Sequence, residues 1–483
     1  MHGTPTPPPQ RVPSSPETTT PGDLPKPAEI NLEIEDDQTT AQRIGATPPK
    51  GTPPAKTAPV PGDDDPGPQA PLQIAGESKV VRREAAKAAA AAAAAPPPRV
   101  GHPAIDFDRI LIIRLSALGD CVHVLPAFAN LRKAFPRAKI AWAVEDRFAS
   151  LLEGLPGLDQ VLVFPRREFR GVWWRPWAWP SAILRAMGIA RALRNFAPTV
   201  AFDFQGNLKS GMHAKHCRAP AKVGLDDAKE GAERHYNYRV KIDGNIHRVE
   251  RGFELLRAAE VPVTVQRFSP AIPERDRAAI DGWLRENLAK NTIVCHVGTS
   301  AFGSFKRWPL EKWSRVGALL SREGQRTVLF AWGPGERGMA EEAARGAACD
   351  SVRVGPDTPR IGTLAALIAR AAVVVGCDSG PLHLAAMMNA NVVGLYGPKD
   401  PTIYGPWCDR HVVVWKGMPC SPCVKRDCEI TDCMNLIEPE EVAQAAEGLL
   451  TRIKHPAALS AASASKTLWA TGEGWEVGKE EVQ

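Results

Sequence analysis

The chain has 483 residues with 60 Lys/Arg, 54 Asp/Glu and a formal net charge of +6. That length allows two or three domains with a sizeable core and excludes a small stapled scaffold. Composition is uneven: residues 1–100 hold 21 of the 45 prolines, no Cys and no Trp, and carry 10 Lys/Arg against 12 Asp/Glu, so the remainder carries a net +8.

No window offers the roughly 18 uninterrupted apolar residues of a spanning helix. The opening MHGTPTPPPQ lacks the apolar centre of a secretory signal. The expectation is a soluble, cytoplasmic protein. The small positive excess does not by itself imply nucleic acid as a partner, and none is expected.

Residues 1–103 read as a disordered Pro/Ala-rich arm, because a chain so poor in large apolar residues cannot repay the entropy of ordering. Its alanine run ends at Pro96 to Pro98 and reads as a spacer. From there, β-rich runs alternate with helical stretches. RILIIRL (109–115), KIAWAVE (139–145), QVLVFP (160–165) and TVAFDFQ (199–205) predict buried strands. A helix is predicted at 247–260, then a proline-punctuated linker. The pattern restarts with TIVCHVG (292–298), RTVLFAW (326–332), SVRVG (351–355), AAVVVGC (371–377) and NVVGLYG (391–397). The expectation is an α/β protein with two Rossmann-like parallel-sheet domains, 104–270 and 271–459, facing a cleft. The second ends on a helix at 438–454, and 460–483 reads as a loose tail.

Six segments carry chemistry. RLSALGD (114–120) lies between a strand and a helix and places Asp120 at the helix start, where it fits a cap or a general base equally. Neither GxGxxG nor GxxxxGK[ST] occurs there, which argues against a simple dehydrogenase or P-loop enzyme. GTSAFGSFKRWP (298–309) offers small donors before Lys306 and Arg307, suited to a diphosphate or to a basic loop anchored by Trp308. In GCDSGPLH (376–383), Asp378, Ser379 and Gly380 open a helix whose free N–H groups favour an anion, and His383 is either a core residue or a phosphate or ribose contact. AWGPGE (331–336) ends on Glu336, a ribose ligand or a helix cap.

FPRREFRGVWWRPWAWP (164–180) interleaves Arg166, Arg167, Arg170 and Arg175 with Trp173, Trp174, Trp177 and Trp179. It reads as an interface for an anionic, membrane-associated ligand or as a packed helical excursion. Cys420, Cys423, Cys428 and Cys433 in CSPCVKRDCEITDC are either a structural Zn or Fe site or reduced thiols.

RILIIRLSALGDCVHVLPA, VAFDFQGNLKSG, GTSAFGSFKRWP and CDSGPLHLAA with GLYGPKDP together resemble glycosyltransferase family 9, the ADP-heptose:lipopolysaccharide heptosyltransferases, from about Arg109 to Lys454. YNYRV and HRVERGFELL resemble heptosyltransferase I, whereas the four-cysteine loop resembles heptosyltransferase II. The resemblance implies a GT-B fold and an inverting transfer of heptose from ADP-heptose to a Kdo-lipid A type acceptor, an anionic glycolipid at the cytoplasmic face of the inner membrane. It implies Asp120 as the base and Lys306 as the residue neutralising the departing diphosphate. Thr299, Ser300, Glu336, Asp378, Ser379, Gly380 and His383 would bind the donor. Arg166, Arg167, Arg170, Gln205 and Lys209 would face the acceptor, with Gly206 in the same motif. No cofactor or metal is implied for catalysis. The competing readings are a transferase or epimerase for another nucleotide sugar, and a non-enzymatic basic scaffold or nucleic-acid-binding protein.

Overall fold

A computed structural model describes residues 101–169, 175–322, 325–423, 428, 431–454, 468–471 and 474–477. The described residues all fall in one compact unit. The expected arm up to residue 100, and Arg170, Trp173 and Trp174, lie outside the described residues.

The first half runs β1 (Arg109–Ile113), α1 (Leu118–Ala134), β2 (Lys139–Glu145), β3 (Gln160–Phe164), the short α2 (Arg166–Phe169), α3 (Trp179–Phe196), β4 (Val200–Asp203), α4 (Leu208–Cys217), β5 (Ala221–Leu225), β6 (Tyr238–Val240) and α5 (Arg248–Ala258). The second runs α6 (Glu274–Glu286), β7 (Ile293–His296), α7 (Leu310–Ser321), β8 (Val328–Ala331), α8 (Arg337–Gly346), β9 (Val352–Val354), α9 (Ile361–Ala369), β10 (Val373–Cys377), α10 (Gly380–Met387), β11 (Val392–Tyr396), α11 (Pro401–Tyr404), β12 (His411–Trp415), α12 (Asp432–Asn435) and α13 (Pro439–Lys454).

Sheet one has the order β3-β2-β1-β4-β5-β6, all parallel. Sheet two repeats it as β9-β8-β7-β10-β11-β12. Both are the doubly wound order, in which the strand sequence reverses beside the first strand and leaves a crevice at the carboxyl ends. The expected α/β architecture is therefore present twice. The tail departs from expectation: strands β13 (Leu468–Thr471) and β14 (Gly474–Val477) form an antiparallel pair that extends sheet two beyond β12. The Gly-Glu-Gly between their apolar residues is a turn signal that a reading of the preceding Ala/Ser run as a loose tail passes over.

Uniformly apolar strands are buried on both faces, as parallel sheets require. Ile110, Leu111, Ile112 and Ile113 of β1 are fully buried. Helix α1 is buried on nearly every side from Gly119 to Leu131 because it packs against α5 of its own half and α10 of the other. Each such Leu or Ile contributes roughly 1.5–3 kcal/mol. This shared burial fixes the start of α1 against the second sheet.

Candidate active site

The two reversal points meet across α1. A Cβ on Gly119 would come within 2.6 Å of the His383 ring, and one on Gly380 within 2.8 Å of Leu118. Only glycine at both positions lets the amino ends of α1 and α10 approach so closely. Asp120 therefore stands beside the DSGPxH turn.

Asp120 accepts from the Ala117 backbone N–H at 3.2 Å and pairs with Arg114 at 2.6 Å. A cap and an accessible carboxylate thus coexist at Asp120, whose side chain is 40% exposed. Burial would raise its pKa, but Arg114, the Ala117 N–H and the more distant Arg248 outweigh burial and hold it below the usual carboxylate value. Gln205 sits beneath this loop: its Oε1 accepts from the N–H groups of Leu115 at 2.8 Å and Ser116 at 3.1 Å. Buried Asp203 in turn accepts from the N–H groups of Gln205 and Gly206 and from the Tyr236 hydroxyl. The chain Asp203–Gln205–Leu115/Ser116 sets the height of the loop that carries Asp120.

On the second sheet, Lys306 donates to both the backbone carbonyl and the carboxylate of Asp378, each at 2.8 Å. An ammonium has three donors, so one remains for a ligand. The other carboxylate oxygen of Asp378 faces His383 Nε2 at 3.0 Å. Burial would raise the Asp378 pKa, but His383 and Lys306 pull it down to about 2. An ionised carboxylate only accepts, so His383 donates from Nε2. The loop bearing Lys306 is anchored by Trp308, which is 1% exposed and donates to the Ile437 carbonyl. The anchored-loop and anion-site readings of KRWP are therefore compatible.

Thr299 is buried and donates to the Gly303 carbonyl at 2.8 Å, closing the same loop; Ser300 turns it with φ +38°. Glu336 is buried, accepts from the Gly333 N–H at 3.0 Å and lies 3.7 Å from Arg307. Its carboxylate presses on the Gly298 backbone so closely that a Cβ there would meet an oxygen at 1.8 Å. Several buried polar atoms here lack a hydrogen-bond partner: Ser379 Oγ, His383 Nδ1 and Arg307 Nε, while Glu336 Oε1 has only the longer ion pair with Arg307. Each orphan costs about 1–3 kcal/mol unless something satisfies it, and their gathering at one strand-end crevice suits a polar ligand.

Around the first sheet, Glu145 at the end of β2 has a fully buried side chain that pairs with Lys209, with Arg166 at 3.0 Å and with Arg147 at 3.2 Å. Burial would raise its pKa; Lys209 and Arg166 overcome this and hold it low. Arg166 and Lys209, distant in sequence, are thus brought together, and Arg167 lies exposed beside them. Glu145 was not anticipated. An acid closing an otherwise apolar parallel strand was the available signal. Also unforeseen is a file of rings between the halves: His123 lies 4.5 Å from His383 and 5.7 Å from His247, which stacks on Trp407 at 4.6 Å.

The cysteine loop is held by the Cys423 N–H on the Pro398 carbonyl and by the Ser421 hydroxyl on the Gly397 carbonyl. Cys420, Cys423, Cys428 and Cys433 line a small cavity with Phe305 and Pro398. Among the described residues no group of three or more His, Cys, Asp or Glu is arranged to hold a metal ion. The structural Zn or Fe expectation finds no support.

Two doubly wound sheets meeting at their reversal points define a GT-B glycosyltransferase architecture. The chain belongs to glycosyltransferase family 9 (heptosyltransferase), whose model matches residues 186–433. It is 30% identical over 312 residues to lipopolysaccharide heptosyltransferase 1 of Escherichia coli K12, covering 63% of this chain and 92% of that protein. It is 27% identical over 372 residues to lipopolysaccharide heptosyltransferase 1 of Pseudomonas aeruginosa, covering 71% of this chain and 98% of that one. The solved E. coli heptosyltransferase WaaC with ADP matches with TM-score 0.56 and 25% identity, over 71% of this chain and 99% of that chain. The protein is accordingly an enzyme, a glycosyltransferase.

Proposed function

We propose that this chain transfers heptose from ADP-heptose to a Kdo sugar of a lipid A type acceptor, with inversion, at the cytoplasmic face of the inner membrane. The carrying observation is the approach of α1 to α10 through Gly119 and Gly380, which sets a carboxylate of one half against the anion cradle of the other. The relatives' names and the ADP bound by a structural neighbour support the donor.

In this reading the diphosphate lies over the amino end of α10, where free N–H groups and the helix dipole favour negative charge. Ser379, Gly380 and the remaining donor of Lys306 contact it. Thr299, Ser300, Glu336 and His383 line the rest of the nucleotide sugar. Asp120 takes the proton of the acceptor hydroxyl as its oxygen attacks the anomeric carbon. The bond to ADP breaks on the opposite face, so the configuration inverts. Lys306 and α10 take up the charge that develops on the leaving oxygen. Arg166, Arg167, Arg170 and Lys209 receive the acid sugars of the acceptor. Gln205 acts through the loop it supports.

Calorimetry of the full chain against ADP-, GDP-, UDP- and CDP-sugars tests the donor. ADP-heptose is expected to bind selectively; preference for another nucleotide sugar would overturn the assignment.

Glu145 gives a separate test of the acceptor side. Glu145→Gln keeps the side-chain shape but removes the charge that gathers Arg166 and Lys209. The acceptor KM should rise about tenfold, roughly 1.4 kcal/mol, with the donor KM unchanged. Equal changes in both constants would count against an acceptor role for this cluster.

A further inference from the structure

Helix α3 carries an outward face that neither the fold nor the transfer chemistry uses. Its buried residues Ala182, Leu193 and Phe196 lie on one side. At about 100° per residue, Ile183, Leu184 and Met187 lie on the opposite side, and they are 60%, 68% and 60% exposed. Trp177, in the turn that enters α3, is 78% exposed. The same outward stripe continues into Arg191 and Arg194, both exposed. A surface helix normally turns polar residues to water. This one is apolar outward over its first half and basic over its second, and it contains no Asp or Glu.

We propose that the outward face of α3 docks on an anionic lipid bilayer, with Trp177, Ile183, Leu184 and Met187 entering the interface and Arg191 and Arg194 on the headgroups. This rests on the reading of the acceptor as a membrane glycolipid and names the surface that would bring the enzyme to it. Charge complementarity selects the occupant. The stripe offers cations without acids, so a second copy laid antiparallel along its whole length would set apolar turns against arginines and leave those arginines unpaired. A bilayer accepts both halves: apolar side chains below the headgroup level, arginines at it. No described helix is long and apolar enough to cross a membrane, so α3 lies on the surface rather than spanning it. Position agrees as well. Arg185 of α3 pairs with Glu168 of α2 at 2.6 Å, and α2 carries Arg166 and Arg167. The apolar face and the proposed acceptor cations therefore occupy one corner of the first half.

The test is co-sedimentation of the full chain with phosphatidylcholine vesicles, with and without phosphatidylglycerol. The wild type should pellet with the anionic vesicles. The triple variant Ile183→Ser, Leu184→Ser, Met187→Ser alters only exposed side chains and should keep its thermal midpoint, yet bind at least about tenfold more weakly. Arg191→Glu with Arg194→Glu should abolish the preference for anionic lipid. Transfer to a water-soluble acceptor fragment should stay at wild-type rate in both variants, whereas transfer to a vesicle-embedded acceptor falls. A wild type that does not pellet, or a triple variant that pellets as well as wild type, would overturn the proposal. So would a triple variant that instead dissociates a dimer in sedimentation velocity. Absence of transfer to the soluble fragment by the wild type would strike the acceptor assignment, and the vesicle result would stand apart from it.

Discussion

Asp120→Asn is expected to lower transfer by roughly 10²–10⁴-fold, the range of a lost general base, while ADP-heptose binding and the thermal midpoint stay near wild type. Asparagine is isosteric and still accepts the Ala117 N–H that the carboxylate now holds at 3.2 Å, so the start of α1 survives. What disappears is the only group at that position able to take a proton. Single-turnover transfer beside donor calorimetry separates the two effects. Full activity in the variant would remove Asp120 as the base. The same residue predicts a pH profile. Its pKa lies below the ordinary carboxylate value, with Arg114 the leading cause of the lowering. The ionised, proton-accepting form is thus the stabilised one, and it is lost only when pH falls below the ordinary carboxylate range. The acid limb of kcat/KM assigned to Asp120 should lie there, and Arg114→Ala should move that limb upward.

Lys306→Ala should weaken both donor binding and turnover. Lys306 is 19% exposed and braced by two hydrogen bonds to Asp378. It is therefore held in place before substrate arrives, as electrostatic catalysis requires. A charge that strengthens its contact as the leaving oxygen becomes anionic acts on kcat as well as on KM. A loss of about 10²–10³ in kcat is expected, with the donor Kd raised by about tenfold or more. The variant also leaves Asp378 buried with one cation fewer, so Lys306→Arg serves as the control that retains charge. If donor affinity and kcat both stayed at wild-type level in the alanine variant, the leaving-group role would be refuted.

The α/β repeat was legible because parallel strands are apolar on both faces and stand out even without alternation. The runs beginning at Arg109, Lys139 and Gln160, and the later set from Thr292 to Gly397, coincide with observed strands. Strand Ala221–Leu225 was missed because Lys222 and Gly224 interrupt it, and Tyr238–Val240 because three residues carry no period. The strand His411–Trp415 was passed over although its centre is three valines.

The turns RLSALGD, KRWP and DSGPxH could be placed at strand ends from their glycines, prolines and flanking strands. Their juxtaposition could not. It depends on Gly119 meeting His383 and Gly380 meeting Leu118, contacts between segments some 260 residues apart. Glu145 illustrates the same limit. Its acid was visible at a strand end, but the convergence of Lys209 and Arg166 on it is tertiary. The Arg/Trp segment allowed two readings, and its described tryptophans do not support the packed one: Trp177 is 78% and Trp179 49% exposed.

The central claim is that Asp120 of the first sheet and Lys306, Asp378 and His383 of the second form one inverting heptosyl-transfer site. It is tested most directly by incubating the full chain with ADP-heptose and a Kdo-bearing lipid A acceptor, then following ADP release and the anomeric configuration of the product by NMR. The account predicts stoichiometric ADP and a new glycosidic bond of configuration opposite to that of the donor. Retained configuration, or ADP release without a glycosidic product, would contradict it.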